Sequence, residues 1–520
     1  MKFKLPGRIL PPLPLVLPAI LSGGLVTLCF PVASLGPVSF LALAPLFAAV
    51  LRHRPGRRDA FRAGFLMGST CFVTMLWWIV KLIPSADVTI PWLMTPALLL
   101  LVLYLSLYPA FHLLVLAAVT RWRPSAFVLA APAVWALFEV ARSRGELAFP
   151  WGLLGYTLSD HPSLIQTAEF WGVYGLSLVI VLVNALVAVA VAVHGPRPRA
   201  VCGLLAGMIA AGILLQGGPR VERERALRGE RLRVAIAQPN IDLAIKWVPE
   251  FKDSSFHQIE RQALRAHEEN AGLVVFPETC APMYVENDPR RKARLQDLAD
   301  SLGMPIFLGF LDHRFDGPHR ALNIYNSSGV FRADGALEKY DKRHLLPFGE
   351  ALPLSTRWRW LRKVQFGQAN FQPGPPRNPL DTGTARITPL ICFESVFPEL
   401  CRDGVRAGTQ LLVNITNDGW FGDTPGPYQH AQMCILRTVE FRRYLVRSAN
   451  SGVSMVVNPA GEVTHTIGLY QADVLTTEVE LLSGETFYAR HGDAPLVAGS
   501  LLIVLAAGFL ARRRAELSAP

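Results

Sequence analysis

Seven stretches in the first 217 residues are each apolar for long enough to approach or exceed a bilayer crossing, and no water-soluble core could bury them all. A spanning helix needs about 20 apolar residues, because the hydrocarbon layer is about 30 Å thick and a helix rises about 1.5 Å per residue. The runs cover roughly 9–22, 24–50, 60–82, 91–120, 125–142, 171–194 and 200–217, and an eighth follows at roughly 495–510. Pro11, Pro12, Pro14, Pro18 and Pro31 leave the limits of the first two ill defined, since proline interrupts helical hydrogen bonding. Lys2, Lys4 and Arg8 precede the first run as they would in a signal peptide. No cleavage site leads into a soluble domain, so an uncleaved first helix is expected.

The short loops set an orientation. Arg52, Arg54, Arg57 and Arg58 follow the second run, Arg121 and Arg123 the fourth, Arg197 and Arg199 the sixth, and Arg512, Arg513 and Arg514 the last. Basic loops of this length stay in the cytoplasm, whereas the loop near 83–90 is almost uncharged and the one from 143 to 170 mixes acids with Arg144. The expectation is about eight spans with both termini cytoplasmic and residue 220 delivered to the outer face. The net charge of +11 is then topological, and no nucleic-acid partner is expected. Glu139, near the end of the fifth span, is expected close to the interface or paired with Arg142. The outer-loop stretch FPWGLLGY, Phe149 to Tyr156, is expected to anchor in the interfacial aromatic belt.

From about 220 to 493 short apolar runs alternate with charged helical ones. Arg233 to Gln238, LVVFPE, Pro305 to Asp312, NIYNSSGVF, ITPLICF, Gln410 to Asp418 and Ser454 to Pro459 read as strands. Ser254 to Glu269, Arg290 to Leu302 and Gln429 to Ala449 read as helices, and the alternation implies an α/β layered domain. Three parts result: a membrane domain over 1–219, an outer domain over 220–493, and a final helix with a basic tail over 494–520. A mean hydropathy of +0.30 fits such a hybrid.

Three strand ends in the outer domain carry chemistry. ITPLICFE ends a buried strand on Cys392, ahead of a helix-like segment whose N–H groups point at whatever binds there. LVVFPE ends on Glu278, and Lys342 sits in YDKRHLLPFGE between strands. A thiol, a carboxylate and a cation are the nucleophile, base and oxyanion partner that thiol-based acyl transfer needs. Singly, each has a plainer reading: a buried packing cysteine, a helix-capping acid, an exposed loop lysine.

PET, YDKRHLLPFGE and ICFES, in this order and spacing, resemble the Glu-Lys-Cys signature of the nitrilase superfamily. Within it they are most similar to the apolipoprotein N-acyltransferase family, across essentially the whole chain. That resemblance implies a multi-pass α-helical membrane domain plus a nitrilase-like α-β-β-α sandwich, with Glu278 as base, Cys392 as thioester-forming nucleophile, and Lys342 with the Phe393 N–H as oxyanion holders. It implies that Glu350 and Glu394 orient Lys342 or the incoming amine, and that Trp247 and Trp420 wall the substrate pocket. The family often has tyrosine after the nucleophile; Phe393 stands here, so no role can depend on that hydroxyl. Asn414 and Asp418 are expected to stiffen the Trp420 loop, and Cys280 to pack.

The implied partners are a phospholipid acyl donor, phosphatidylethanolamine, and as acceptor the α-amino group of a diacylglyceryl-cysteine apolipoprotein. The implied place is the bacterial inner membrane, with the catalytic domain periplasmic and the chain a monomer. A membrane-tethered amidase using the same three residues is the alternative, and a ligand-binding transporter or receptor a second. Membrane helices favour acyl transfer, since pulling a 16-carbon chain into water costs roughly 13 kcal/mol at about 0.8 kcal/mol per CH₂. LSTRWRWLRKV, Leu354 to Val364, suits a headgroup surface. No metal or organic cofactor is indicated, and His344 and His430 read as ordinary polar residues.

Overall fold

The computed structural model describes residues 10–31, 33–82, 94–242, 246, 248–316, 321–353, 355, 358, 370–376 and 379–516. Among them seven helices are long and apolar enough to cross a membrane: Gly36–His53, Arg57–Lys81, Met94–Val119, Pro124–Arg142, Ala168–Ala192, Pro196–Arg225 and Ala494–Arg513. The remaining apolar helix, Leu13–Leu28, has 16 residues, about 24 Å at 1.5 Å per residue and so short of a full hydrocarbon layer. The first two expected runs are therefore divided differently. Pro12 precedes the first helix and Pro31 follows it, and the chain becomes helical again only at Gly36. Leu100, Leu215 and Leu502 stand two-thirds or more exposed around the bundle, which only a lipid surround satisfies.

The α/β domain is two six-stranded sheets face to face. The first contains β1 (Glu230–Gln238), β2 (Leu273–Val275), β3 (Ile306–Asp316), β4 (Ala321–Phe331), β5 (Leu337–Asp341) and β12 (Asp473–Leu481), in the order β12-β1-β2-β3-β4-β5. The second contains β6 (Leu380–Asp381), β7 (Arg386–Ile391), β8 (Leu411–Thr416), β9 (Tyr444–Ala449), β10 (Ser454–Val457) and β11 (Val463–Ile467), in the order β11-β10-β9-β8-β7-β6. The central strands β1-β2-β3 and β7-β8-β9 are parallel. Val234 and Ile236 of β1 meet Ile387, Ile391, Val413 and Ile415 between the sheets, while Ala235 and Ala237 face the helices Pro249–Glu268 and Pro289–Leu302. Strands buried on both faces need this unbroken apolar pattern.

The outer face of the second sheet is covered by the helices Pro398–Arg406 and Pro425–Phe441, which completes an α-β-β-α sandwich. That helix layer shares one hydrophobic cluster with the membrane bundle: Leu436 and Val439 are continuous with Ile165, Val173 and Tyr174. The stretch Phe149–Tyr156 lies at this seam rather than in an aromatic belt. Trp151 is 4% and Tyr156 0% exposed, because both pack against the α/β domain. Glu139 accepts from Trp135 Nε1 and the Leu154 N–H, and it interacts with the Arg142 charge without a direct ion pair to it.

The third expected helix is shorter than Gln429 to Ala449. It ends at Phe441, Arg442 turns left-handed at φ 49°, and β9 begins at Tyr444. Arg443 and Arg447, charges that read as a helix surface, are both buried, the latter inside β9.

Candidate active site

Each of the three expected residues stands just past a strand of this double sheet. β2 ends at Val275 and Pro277 stops it, leaving Glu278 buried at the sheet edge. β5 delivers Lys342 directly after Asp341, and β7 delivers Cys392 directly after Ile391. Lys342, 1% exposed, is no loop lysine in solvent: its Nζ lies 2.8 Å from Glu350 Oε2 and 3.9 Å from Glu278 Oε1. Asn326 Nδ2 donates to Glu278 Oε1 (2.7 Å) and Glu350 Oε1 (3.1 Å), and the Asn417 N–H holds Glu278 Oε2 at 3.0 Å.

Cys392 is half-buried and left-handed, with φ 53°, a conformation that costs a non-glycine residue about 1–3 kcal/mol and persists only when its surroundings enforce it. The residue opens the short 3-10 turn Cys392–Val396 that follows the strand end.

The charges are set by burial. Burial and the neighbouring Glu278 push the Cys392 thiol well up, against the pull of Lys342, so the resting group is a protonated thiol. Burial also raises Glu278, with Lys342 opposing and Glu350 reinforcing, which brings this carboxyl out of the ordinary range toward that of a useful base. Burial would strip the Lys342 proton, but Glu350, Cys392 and Glu278 together hold it far above the ordinary lysine value, so Lys342 is a permanent cation.

Glu394 bears on Lys342 through the backbone of the lysine's loop and not by a direct hydrogen bond. Fully buried, it accepts from Tyr340 Oη (2.8 Å), the Arg343 N–H (2.7 Å), the His344 N–H (3.1 Å) and the Ile391 N–H (2.8 Å). It thus staples the Lys342 loop to the end of β7 through backbone. Glu350 is the carboxylate that touches Lys342, and it also accepts from the Leu346 N–H at 2.8 Å. The Phe393 ring is buried against Phe149 and Phe397, at 6.0 and 5.1 Å between centroids. A cavity of about 340 Å³ opens beside Glu278, with Asn326, Asn417, Met283, Phe371 and Trp420 on its walls. Trp247 lies outside the described residues, as does Leu354 to Val364 apart from Ser355 and the half-exposed Trp358.

Several site groups carried no motif. Lys246, buried beside Glu278, donates to Thr279 Oγ1 at 2.8 Å, and burial brings its ammonium down to about 8 against the pull of Cys280 and Glu278. Gly309 of β3 runs against the Glu278 backbone: a Cβ there would lie 2.7 Å from Glu278 Cα and 2.5 Å from the Thr279 nitrogen. Gly309→Ala is expected to displace the base and slow acylation by about 10²-fold, the scale for a shift of about 1 Å. Single-turnover rates with phospholipid check this, and a rate within threefold of wild type would contradict it.

His430 is not the isolated polar residue its sequence suggests. It sits buried beneath Cys392, linked to Asp418 and Arg447. Burial alone would raise the Asp418 carboxyl, but Arg447 and His430 bring it down to about 2. Asp418 accepts from Thr416 Oγ1 at 2.9 Å and so stiffens the Trp420 loop as expected, whereas Asn414 reaches the Leu390 and Cys392 carbonyls (2.8 and 3.4 Å) and holds the end of β7 instead.

Comparison with known proteins agrees with this geometry. Residues 22–186 match the Apolipoprotein N-acyltransferase N-terminal domain, and residues 233–487 match the Carbon-nitrogen hydrolase family. The Apolipoprotein N-acyltransferase of Geobacter metallireducens is 37% identical over 500 residues, covering 93% of this chain and 94% of its own. The chain belongs to the apolipoprotein N-acyltransferase family. Members of the same name from Rhodopseudomonas palustris and Gloeobacter violaceus are 31% and 33% identical, over 94% and 95% of this chain and 94% of each relative. Among solved structures, an amidase from Nesterenkonia sp. AN1 is similar over 51% of this chain and 98% of its own, at 21% identity and a TM-score of 0.38, too slight a likeness to carry an argument. The nitrilase-like sandwich of this apolipoprotein N-acyltransferase family member thus rests on its family match and its two sheets.

Proposed function

We propose that the chain transfers an acyl chain from a phospholipid to the α-amino group of an apolipoprotein's N-terminal diacylglyceryl-cysteine, in two half-reactions through a thioester on Cys392. The observation that carries this reading is the buried Glu278–Lys342–Glu350 cluster beside a strained thiol, in a domain whose helix layer is continuous with a membrane bundle. The names of the relatives supply the acceptor, and the apolar bundle supplies access to a donor that water cannot deliver.

Cys392 Sγ attacks the donor's ester carbonyl carbon while its proton passes to Glu278. The oxyanion forms against Lys342 and the Phe393 N–H, and its collapse breaks the ester C–O bond. Glu278 returns the proton to the departing lysophospholipid oxygen, leaving acyl-Cys392. The acceptor amine then attacks the thioester, Glu278 takes an amine proton, the C–S bond breaks, and that proton restores the thiol. Amide and free enzyme remain.

The parts divide as 1–219, 220–493 and 494–520. With Leu13–Leu28 counted as a crossing, both termini lie in the cytoplasm and the catalytic domain on the periplasmic face of the inner membrane, a reading the basic loops support. The chain works as a monomer.

The test is the mass of a diacylglyceryl-cysteine peptide incubated with the purified full chain and phospholipid. A gain of one acyl chain in amide linkage supports transfer; fatty acid release with an unchanged peptide supports the amidase-like alternative and refutes transfer.

Glu278→Gln is expected to slow acyl-enzyme formation by about 10²–10⁴-fold, the usual share of a general base. Its effect on stability has the opposite sign. The raised Glu278 carboxyl favours the fold below its unfolded value, and that contribution is lost as pH rises through the folded value. The variant's apparent Tm should therefore decline less than wild type's between acid and neutral pH, and a steeper decline would contradict the assignment.

A further inference from the structure

The carbonyl of Cys392 has a support that neither the triad nor its family signature involves. His430 Nε2 lies 3.2 Å from it, on the helix Pro425–Phe441 of the layer that meets the membrane bundle, and Ser395 Oγ lies 3.1 Å from the same oxygen. On the far side of the ring, Nδ1 meets Asp418 Oδ1 at 2.9 Å and Arg447 at 3.2 Å. Arg447 in turn holds Asp418 Oδ2 at 2.6 Å and bonds Asn414. The side chains of His430, Ser395, Asp418, Arg447 and Asn414 are all buried at 1% exposure or less.

The membrane domain grips the same turn of helix. Trp151 lies over the His430 ring, 5.7 Å between centroids and 31° between planes. The adjoining Gln429 has its side-chain oxygen taken by two indole N–H groups, Trp151 at 2.9 Å and Trp78 at 3.1 Å, and its amide nitrogen donates to the Met75 carbonyl at 3.3 Å. Trp78 and Met75 end the span Arg57–Lys81, and Trp151 belongs to the loop after Pro124–Arg142. Three residues of the membrane domain therefore fix Gln429, and His430 follows it in the chain.

A left-handed cysteine needs its carbonyl held, because release of that oxygen lets the peptide units on either side relax toward the commoner conformation. Relaxation would move both Sγ and the Phe393 N–H, the two groups that must meet one carbonyl carbon and its oxygen. We propose that His430 is a positioning residue for Cys392, its ring pinned at Nδ1 by Asp418 and seated at Nε2 against the Cys392 carbonyl and Ser395 Oγ, and that the membrane-domain tryptophans Trp78 and Trp151 set its place through Gln429. The bundle thereby does more than tether the catalytic domain: it completes the mould that shapes the nucleophile. The inference rests on Cys392 being the nucleophile.

Single-turnover formation of acyl-Cys392, followed by intact mass on the purified full chain at varied phosphatidylethanolamine, tests it. For His430→Ala the limiting rate should fall by about 10²-fold, the scale of an ångström-sized misplacement, with the half-saturating phospholipid concentration unchanged. His430→Gln, which keeps a polar group of similar reach beneath the Cys392 turn, should recover to within about tenfold of wild type. Trp151→Phe keeps a ring but loses the bond to Gln429, and should slow the same step by about three- to tenfold. Rates are taken per molecule of folded chain, so a merely structural role predicts lower yield with an unchanged rate. A His430→Ala rate equal to wild type, or a Gln variant no better than Ala, overturns the proposal while leaving the nucleophile intact. Should His430→Ala not fold, Trp151→Phe decides, and a wild-type rate there overturns the coupling. Absence of any adduct in wild type would instead remove the nucleophile reading itself.

Discussion

Cys392→Ala abolishes the acyl-enzyme and reduces transfer by about 10⁶-fold, the scale seen when the nucleophile of a covalent mechanism is removed. Alanine keeps the Cβ and so the same backbone preference at φ 53°, which makes the change a loss of chemistry rather than of fold. The thioester intermediate disappears with it, leaving no route by which one lipid can hand its acyl chain to another molecule in two steps. Cys280→Ala is the matching control. Burial pushes that thiol up to about 12 and keeps it protonated, and its side chain packs among Phe276, Ala281 and Met283. Its loss should leave the adduct on Cys392 in place. Hydroxylamine-sensitive mass on wild type and Cys280→Ala, absent from Cys392→Ala, is the expected pattern; an adduct on the Cys392 variant would reassign the nucleophile.

Lys342→Met removes both the oxyanion's cation and the counter-charge of two buried carboxylates. Activity should fall by about 10²–10³-fold, as when one oxyanion partner is lost. Stability at neutral pH should fall by about 3–5 kcal/mol, because breaking a buried pair strands its partner's charge. The pH dependence identifies the cause. Glu278 is already raised by burial, opposed by Lys342 and reinforced by Glu350, and loss of the lysine raises it further. A carboxyl raised in the fold contributes stability below its unfolded value and loses it as pH rises. The lysine's own contribution in wild type is constant from acid to neutral pH, since its folded value lies above 10.5. The deficit of the variant should therefore be smallest near pH 5 and widen toward pH 8. Apparent Tm at several pH values measures it, and a deficit that narrows with rising pH would contradict the charge arrangement.

Much of this was legible in the chain because it rests on local pattern. Strands buried on both faces write themselves as apolar runs, so β1, β2, β7 and β8 and the residues at their ends could be placed before any coordinates. The span limits between residues 57 and 192 follow closely from apolar length, whereas the helix expected over 200–217 runs from Pro196 to Arg225 through charged residues. What escaped was tertiary. Arg447 is a charge inside a strand, tolerable only because Asp418 lies 2.6 Å away, and no periodicity announces a neighbour 29 residues distant. Phe149 to Tyr156 has the composition of an interfacial anchor, and only the docking of two domains buries it. β5, with LEKYD, is too short and too charged to signal a strand, yet it carries Lys342 to its place. Gly309 and His430 are single residues whose meaning is a contact made by folding. A possible signal for the latter was the closeness of Asp418, His430 and Arg447 to one another in a segment that also holds Trp420.

The central claim is that the acyl group passes through Cys392 to an amine, and a chase measures it directly. The full chain is loaded with phosphatidylethanolamine, freed of excess lipid, and mixed with a diacylglyceryl-cysteine peptide in a single turnover. The account predicts that the protein loses one acyl mass at the rate the peptide gains it as an amide. Peptide acylated while the protein adduct persists, or adduct lost to free fatty acid with the peptide unchanged, would contradict it.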